Sequence, residues 1–349
     1  MKAMVLTGPG RPLELREVPV PHVGPNDVLV RVRACGIGLT LLKGFVSGKV
    51  SAYPRIPGHE ICGDVTAVGT EVQSVPVGQR VTCHYYLTCG VCRFCRDGRE
   101  SLCIARGGSI GRDIDGGYAE LVRLPARNVI AVPQGVDDVA AAIASDAVAT
   151  PYHATHEARI RPGDSVLVIG AGGGVGVHVV QMARLRGGRV LAADLTDAKL
   201  GLARDVGAAE TIDARSEDIA ERARALTGGR GVDAVIDMVG SAATLRASLD
   251  SLGMGGRWVL VGSQAQDGSV RPRIDLDPSA LQSRAIEIHS SRYVNAAEIM
   301  RVLDLLADRR VRAVVTRTFA LSEAEEAHEI IRRNAHTGRL ALVMSPERN

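Results

Sequence analysis

The sequence contains no apolar run of 18 or more residues, which excludes an ordinary membrane-spanning helix. Its opening residues, MKAMVLTGPG, carry neither a long apolar core nor a small-residue cleavage site, so no secretory leader is expected. Strong charge is missing as well. The formal net charge is +3 and the pI is near 8.5, too mild to suggest a nucleic-acid or anionic-membrane surface. Lysine is scarce, occurring only at positions 2, 43, 49 and 199. The remaining basic residues are arginines, a bias that points to a GC-rich source and not to a function. There is no internal repeat and no low-complexity linker.

What is present fits a globular chain of two domains. The length is 349 residues, with 46% hydrophobic and 23% charged residues. Of the seven cysteines, four fall within residues 89–103. In a leaderless chain, such clustering reads as metal binding in a reducing compartment, so a cytoplasmic location is expected. Residues 1–135 read as short strands (DVLVRVRAC, CGDVTAVGTEV, GQRVTCHYY, GGYAELVRL) between Gly, Pro and Asn/Asp turns, an antiparallel and partly barrel-like region. An Ala-rich helical pattern covers Ala140–Ala158. Beyond it, SVLVIG, RVLAAD, AVIDMV and RWVLVG alternate with helix-length segments, which implies a parallel sheet covered on both faces. Two amphipathic helices, AEIMRVLDLLADRRV and AEEAHEIIRRNAHTG, and a last strand, RLALVM, close the chain.

The stretch VLVIGAGGGVGVHVVQMA is strand, glycine turn and helix. Gly170, Gly173, Gly174, Val175 and Gly176 allow a tight turn and close approach to a pyrophosphate, and the following helix offers free N–H groups. The next strand ends at Asp194, 18 residues beyond Gly176. A carboxylate there accepts from ribose hydroxyls and repels a 2′-phosphate, so NAD(H) is expected over NADP(H). Lys199, one helical turn on, either reaches the ribose or is a surface lysine.

Cys89, Cys92, Cys95 and Cys103 have the spacing C-x2-C-x2-C-x7-C. Four thiolates with no open position make a structural zinc site, against the alternatives of chance clustering or an iron–sulfur cluster. Cys35, Cys62 and Cys83 are expected to be small buried residues.

The motifs PGHE (57–60) and GGYAE (116–120), the four-cysteine lobe and the glycine loop together identify a resemblance. End to end, the chain resembles the zinc-type alcohol dehydrogenases of the medium-chain dehydrogenase/reductase (MDR) superfamily. The resemblance implies an α/β fold with a GroES-like catalytic domain over 1–147 and 291–349, and a Rossmann NAD-binding domain over 148–290. It also implies a homodimer or homotetramer, with the strand AIEIHSS (285–291) as the candidate edge.

In the family, a catalytic zinc polarises the substrate oxygen while hydride passes between substrate and nicotinamide. Matched residue by residue, His59 is one ligand, with Glu60 beside it, and Asp146 is another. The remaining ligand of the pattern Cys-Gly-x-Cys-x-Thr-Asp falls on Gly38, and the Asp that orients the ligand histidine falls on Leu41. A second, catalytic zinc is therefore expected to be weak or absent, because a lost thiolate and a lost outer-shell partner both lower affinity. It would form only if Glu60, Cys35 or Cys62 completed the set. Thr40 matches the family's proton-relay hydroxyl, and Lys43 falls where many members have a relay histidine; the alternative for Lys43 is an exposed turn lysine. Tyr85 and Tyr86 match pocket-lining positions, though core packing is the ordinary role of strand aromatics. Val239, Val261 and Gly262 match the strand ends that flank the nicotinamide.

Three functions remain open. The first is an NAD(H)-dependent oxidoreductase acting on an alcohol/carbonyl pair. The second is a metal-free reductase or dehydrogenase of a conjugated C=C, a quinone or an activated cyclic ketone. The third is a non-catalytic nucleotide-binding protein, against which the intact cofactor loop, Thr40 and His59 argue.

Overall fold

A computed structural model of the chain describes residues 1–39, 50–263 and 272–344. It divides into two compact units, Met1–Ala149 with Val294–Asn349, and Thr150–Tyr293. No helix among the described residues is long and apolar enough to cross a membrane.

The first unit is built on strands. β1 (Lys2–Leu6) pairs with β2 (Leu13–Glu17) as a separate ribbon. β3 (Asp27–Ile37) is the spine of the main sheet, followed by β4 (Glu60–Val68), β5 (Arg80–Cys83), β6 (Leu121–Pro125) and β7 (Val129–Ala131). Along β3, Val30, Val32 and Ala34 are buried while Arg31 and Arg33 are exposed, the alternation of a half-covered strand. From Ala34 to Ile37 both faces are buried. The strand thus carries Cys35 and Gly36 into the interior of the unit.

The second unit holds β8 (Ser165–Ile169), β9 (Arg189–Asp194), β10 (Glu210–Asp213), β11 (Val232–Asp237), β12 (Leu252–Leu260) and β13 (Glu287–Ser290). All pairings are parallel, in the order β10-β9-β8-β11-β12-β13. This is the doubly wound Rossmann order, and the order in which strands are added reverses between β8 and β11, the switch point at which such sheets bind ligands. Leu167, Leu191, Val235 and Trp258 fill the core against Leu245 and Leu249 of the helix Ala242–Ser251. Each fully buried side chain of this kind contributes about 1.5–3 kcal/mol.

After Tyr293 the chain returns to the first unit with β14 (Val315–Ala320) and β15 (Arg339–Val343). The main sheet there runs β14-β15-β3-β4-β5-β7, with β6 also on β3. β14 has no counterpart in the sequence reading; only Phe319 in VTRTFA is buried, so no apolar run announces it. β15 lies antiparallel to β3, Leu340 opposite Ile37 and Ala341 opposite Gly36, while Glu60 of β4 faces Gly36 from the other side.

One buried polar pair braces the turn into β4. Tyr118 Oη lies 3.0 Å from His328 Nε2, and neither residue is exposed. The Tyr118 ring and Cys35 pack so closely on Gly58 (φ +99°) that a Cβ there would stand 2.5 Å from the ring. Burial, with a smaller push from Arg332, lowers the His328 pKa to about 3. The unfolded chain takes up a proton on this histidine near its ordinary value of about 6.5, and the folded chain does not until far lower. Stability is therefore lost as pH falls through that window, by up to about 1.4 kcal/mol per pH unit. His328→Gln is expected to flatten the acid side of a Tm–pH profile; an unchanged slope would exclude His328 as its source.

Candidate active site

In the second unit, the loop after β8 is shaped by contacts that only glycine allows. Gly170 has φ +79°, and a Cβ on Gly176 would overlap the Gly170 carbonyl. A Cβ on Gly172 would lie 2.6 Å from Lys199 Cα. The helix Gly176–Leu185 follows directly; the Val177, His178 and Val179 N–H groups already donate to the Gly173 and Val175 carbonyls, so the bare glycine backbone and the positive end of the helix dipole make the anion-binding arrangement. Asp194 closes β9, and its Oδ2 accepts from Gly172 N–H at 2.8 Å while its Oδ1 accepts from Leu195 N–H at 2.8 Å. A carboxylate has about four acceptor sites, so capacity remains for ribose hydroxyls. Lys199 is not a surface lysine: it is buried, with Nζ 3.9 Å from Asp194 Oδ1. Glycine loop, helix N-terminus and spare carboxylate fit a dinucleotide.

At the carboxyl ends of β11 and β12, the strand ends expected to flank the nicotinamide have their N–H groups occupied. Val261 and Gly262 both donate to the Asp237 carbonyl, at 3.1 and 2.9 Å, and Val239 N–H donates to Asp237 Oδ1 at 2.8 Å. A Cβ on Gly262 would press on the Met238–Val239 peptide, so the position is held to glycine by close packing. Carbonyl oxygens, not amides, are what these residues have left to offer.

In the first unit, Cys89, Cys92, Cys95 and Cys103 bring their sulfurs together, at 3.9 Å for 89–95, 3.5 Å for 92–95 and 3.5 Å for 89–103. Four sulfurs about 2.3 Å from one zinc stand about 3.8 Å apart in a tetrahedron, so the set fits the ion. Backbone N–H groups at Cys95 and Ile104 pull the Cys92 thiol down to about 6, and similar donors lower Cys89. Burial and the neighbouring sulfurs push Cys95 up to about 12. A divalent cation among them would cancel that repulsion.

The second cluster forms where β4 begins. His59 Nε2 lies 2.9 Å from Asp146 Oδ2, and with Glu60 these groups lie within 4.8 Å of one another. Asp146 sits on a π-helical turn, Ala144–Val148, that interrupts the helical run expected over Ala140–Ala158; such turns re-aim side chains and recur at functional sites. Asp146 is the accessible edge of the pair, its side chain 15% exposed against 1% for His59. The Tyr85 ring packs on the imidazole at 4.4 Å between centroids, and His59 Nδ1 has no partner among the described residues.

Glu60 is fully buried and committed elsewhere. Its Oε2 accepts from Arg339 Nε at 3.0 Å, and its Oε1 accepts from Arg339 Nη2 at 2.6 Å and from Ala147 N–H at 3.0 Å. Burial raises the Glu60 pKa, offset in part by Arg339 and reinforced by Asp146. Burial works against the Arg339 charge too, but the carboxylates of Glu60 and Asp146 more than offset it and leave its pKa raised.

The pair lies over two glycines of one strand face. A Cβ on Gly36 would stand 2.8 Å from Glu60 Cδ, and a Cβ on Gly38 would stand 2.6 Å from Arg339 Cζ. Gly36-Ile37-Gly38 therefore makes a bare floor across which β4 and β15 reach toward each other. Arg339 is a site residue that the sequence reading does not single out.

The other thiols stay outside the cluster. Cys35 Sγ is directed toward the Gly36 carbonyl at 3.8 Å, Cys62 Sγ toward Asp138 at 3.9 Å, and Cys83 Sγ toward the His59 carbonyl at 3.6 Å. Burial raises all three thiol pKa values, that of Cys83 to about 12. None completes a ligand set with His59, Glu60 and Asp146 among the described residues. Thr40, Leu41 and Lys43 lie outside the described residues.

Residues 24–134 match the alcohol dehydrogenase GroES-like domain and residues 174–308 the zinc-binding dehydrogenase family. An acryloyl-coenzyme A reductase from Metallosphaera sedula is 31% identical, the match covering 98% of this chain and 99% of that protein. An NAD-dependent alcohol dehydrogenase from Sulfolobus acidocaldarius is 30% identical over 98% and 99%. Among solved structures, the cobalt- and zinc-bound thermostable alcohol dehydrogenase from Pyrobaculum aerophilum superimposes with a TM-score of 0.88, at 31% identity and coverage of 98% and 99%.

Proposed function

We propose, for a chain that belongs to the zinc-type alcohol dehydrogenases of the MDR superfamily, the NADH-linked reduction of an acceptor that spreads its own developing charge. A conjugated enone, a quinone and a thioester-activated alkene are the candidate classes. The chain is an NAD-dependent oxidoreductase by its family; the choice of acceptor is our reading. The observation that carries it is the His59–Asp146 pair in a cluster without sulfur, with Glu60 bound to Arg339. Gly38 falls at the family's thiolate position in the sequence and Leu41 at that of the aspartate that orients the ligand histidine, and His59 Nδ1 has no partner among the described residues.

A catalytic metal contributes several kcal/mol by polarising the reacting oxygen. Without it, a localised alkoxide is costly and a delocalised enolate or phenolate is not. When bound, NADH supplies the hydride. The His59–Asp146 pair supplies the proton, Asp146 holding the imidazole in one orientation through Nε2. Tyr85 walls the imidazole against water. Thr40 and Lys43 belong to the same reading as proton relays. The acryloyl-coenzyme A reductase relative supports it.

The test is NADH oxidation with enone, quinone and enoyl-thioester panels, beside NAD⁺ reduction with an alcohol panel. Turnover led by conjugated acceptors supports the proposal. Alcohol oxidation alone, abolished by chelation, would establish the second reading, an alcohol/carbonyl pair handled with zinc, which the alcohol dehydrogenase relatives favour.

Gly170, Gly173, Gly174, Val175 and Gly176 are assigned to the pyrophosphate, Asp194 and Lys199 to the adenosine ribose, and Val239, Val261 and Gly262 to the nicotinamide end. A hydrogen bond to a charged group contributes about 1.5–3 kcal/mol. Asp194→Ser is therefore expected to raise KM for NADH by about 10–100-fold and to admit NADPH. Steady-state kinetics with both cofactors check this; an unchanged preference would remove Asp194 from cofactor choice. A cytoplasmic homodimer or homotetramer completes the proposal, supported by the clustered thiols and by β13 at the open edge of its sheet. Light scattering on the purified chain decides the oligomer.

A further inference from the structure

We propose that the Arg339 guanidinium, seated on the floor that Gly38 leaves open, is the resident cation of the His59–Glu60–Asp146 cluster and holds that place against a divalent metal ion. The proposal rests on the sulfur-free reading of the site and deepens it. A side chain at position 38 and Arg339 in its present seat exclude each other, because a Cβ there would lie 2.6 Å from Arg339 Cζ. The glycine is thus not merely a missing ligand: its bareness admits another positive group.

That group already satisfies both oxygens of Glu60, and Glu60 takes a third bond from Ala147 N–H. His59 Nε2 is engaged with Asp146. A metal ion held by all three groups would have to break the Glu60–Arg339 fork; one held by His59 and Asp146 alone would have only two protein ligands, and either would sit beside a buried guanidinium whose charge repels it. Arg339 lies next to Gly38 because β15 runs antiparallel to β3, with Leu340 opposite Ile37; one more step of that register brings residue 339 to residue 38. Arg339 acts through Glu60 and Asp146 and is a positioning residue.

The experiment counts metal on the purified full-length chain by mass spectrometry after equilibration with Zn²⁺, and in parallel with Co²⁺. Wild type and Arg339→Lys, which keeps a cation, are expected to retain only the zinc of the four-cysteine lobe. Arg339→Met, which leaves the two carboxylates without a cation, is expected to take up a second ion that is lost again when His59→Asn is added. A second ion in wild type, removed by His59→Asn, would overturn the proposal. So would an Arg339→Met chain that keeps its lobe zinc and native circular dichroism yet takes up nothing. Should Arg339→Met not fold, Arg339→Gln, which can still hydrogen-bond to Glu60 but carries no charge, takes its place with the same two outcomes. A wild-type count of one with no turnover of conjugated acceptors overturns the substrate reading and leaves this inference standing. A count of two with such turnover does the reverse.

Discussion

Replacing His59 by asparagine is expected to lower kcat for NADH-linked reduction by about 10²–10⁴-fold, the usual contribution of a positioned general acid. Asparagine occupies much of the space under the Tyr85 ring but can neither carry nor release the proton. Asp146→Asn should cost a similar factor by a different route. It keeps the shape and removes the anion that orients the imidazole and stabilises its charged form, the role of the third member of a catalytic triad. Because the two side chains act as one unit, the double variant is expected to be little slower than either single one. The lobe zinc and the NADH affinity of each variant, which depend on other residues, serve as controls for folding. Rates that multiply in the double variant, or a kcat unmoved in His59→Asn, would take the pair out of the chemistry.

The Rossmann half was legible because its signals are local. Strand, glycine turn and helix follow one another from Ser165 to Leu185, and a parallel sheet buried on both faces gives continuous apolar runs. The four-cysteine lobe was legible for the same reason, its ligands falling within residues 89–103. His59 and Asp146 came only with the family resemblance, since 87 positions separate them and Asp146 is turned by a π-helical step that no periodicity announces. Arg339 was out of reach altogether. Its partner Glu60 lies 279 positions away, and the contact exists only through the register of β15 on β3. The occupied amides of Val261 and Gly262 were equally hidden, because the carbonyl of Asp237 claims them after the sheet has formed. Lys199 was open to two readings, and its burial against the glycine loop removes the surface one.

Gly38 itself provides the sharpest test of how the site is built. Gly38→Ala, at a strand end where the glycine has no left-handed backbone, would ordinarily stabilise the chain by about 0.4–1 kcal/mol through the unfolded state. Here the opposite sign is expected, because the new methyl displaces the guanidinium from Glu60. Glu60→Gln or Arg339→Met breaks the same buried pair by removing one partner, at a cost of about 3–5 kcal/mol and a fall in Tm on the order of 10 °C. The double change Glu60→Gln/Arg339→Met leaves no buried charge unpaired and should recover much of that loss, a coupling that a double-mutant cycle reads directly. Adding Gly38→Ala to the double variant should then cost little or even help, since no fork remains to be opened and methionine bends where guanidinium cannot. If Gly38→Ala were stabilising in the wild-type background, or equally harmful in both, the glycine would not be there for Arg339. Destabilisation only while the ion pair is intact is the result that ties the absence of a side chain at position 38 to the presence of one at 339.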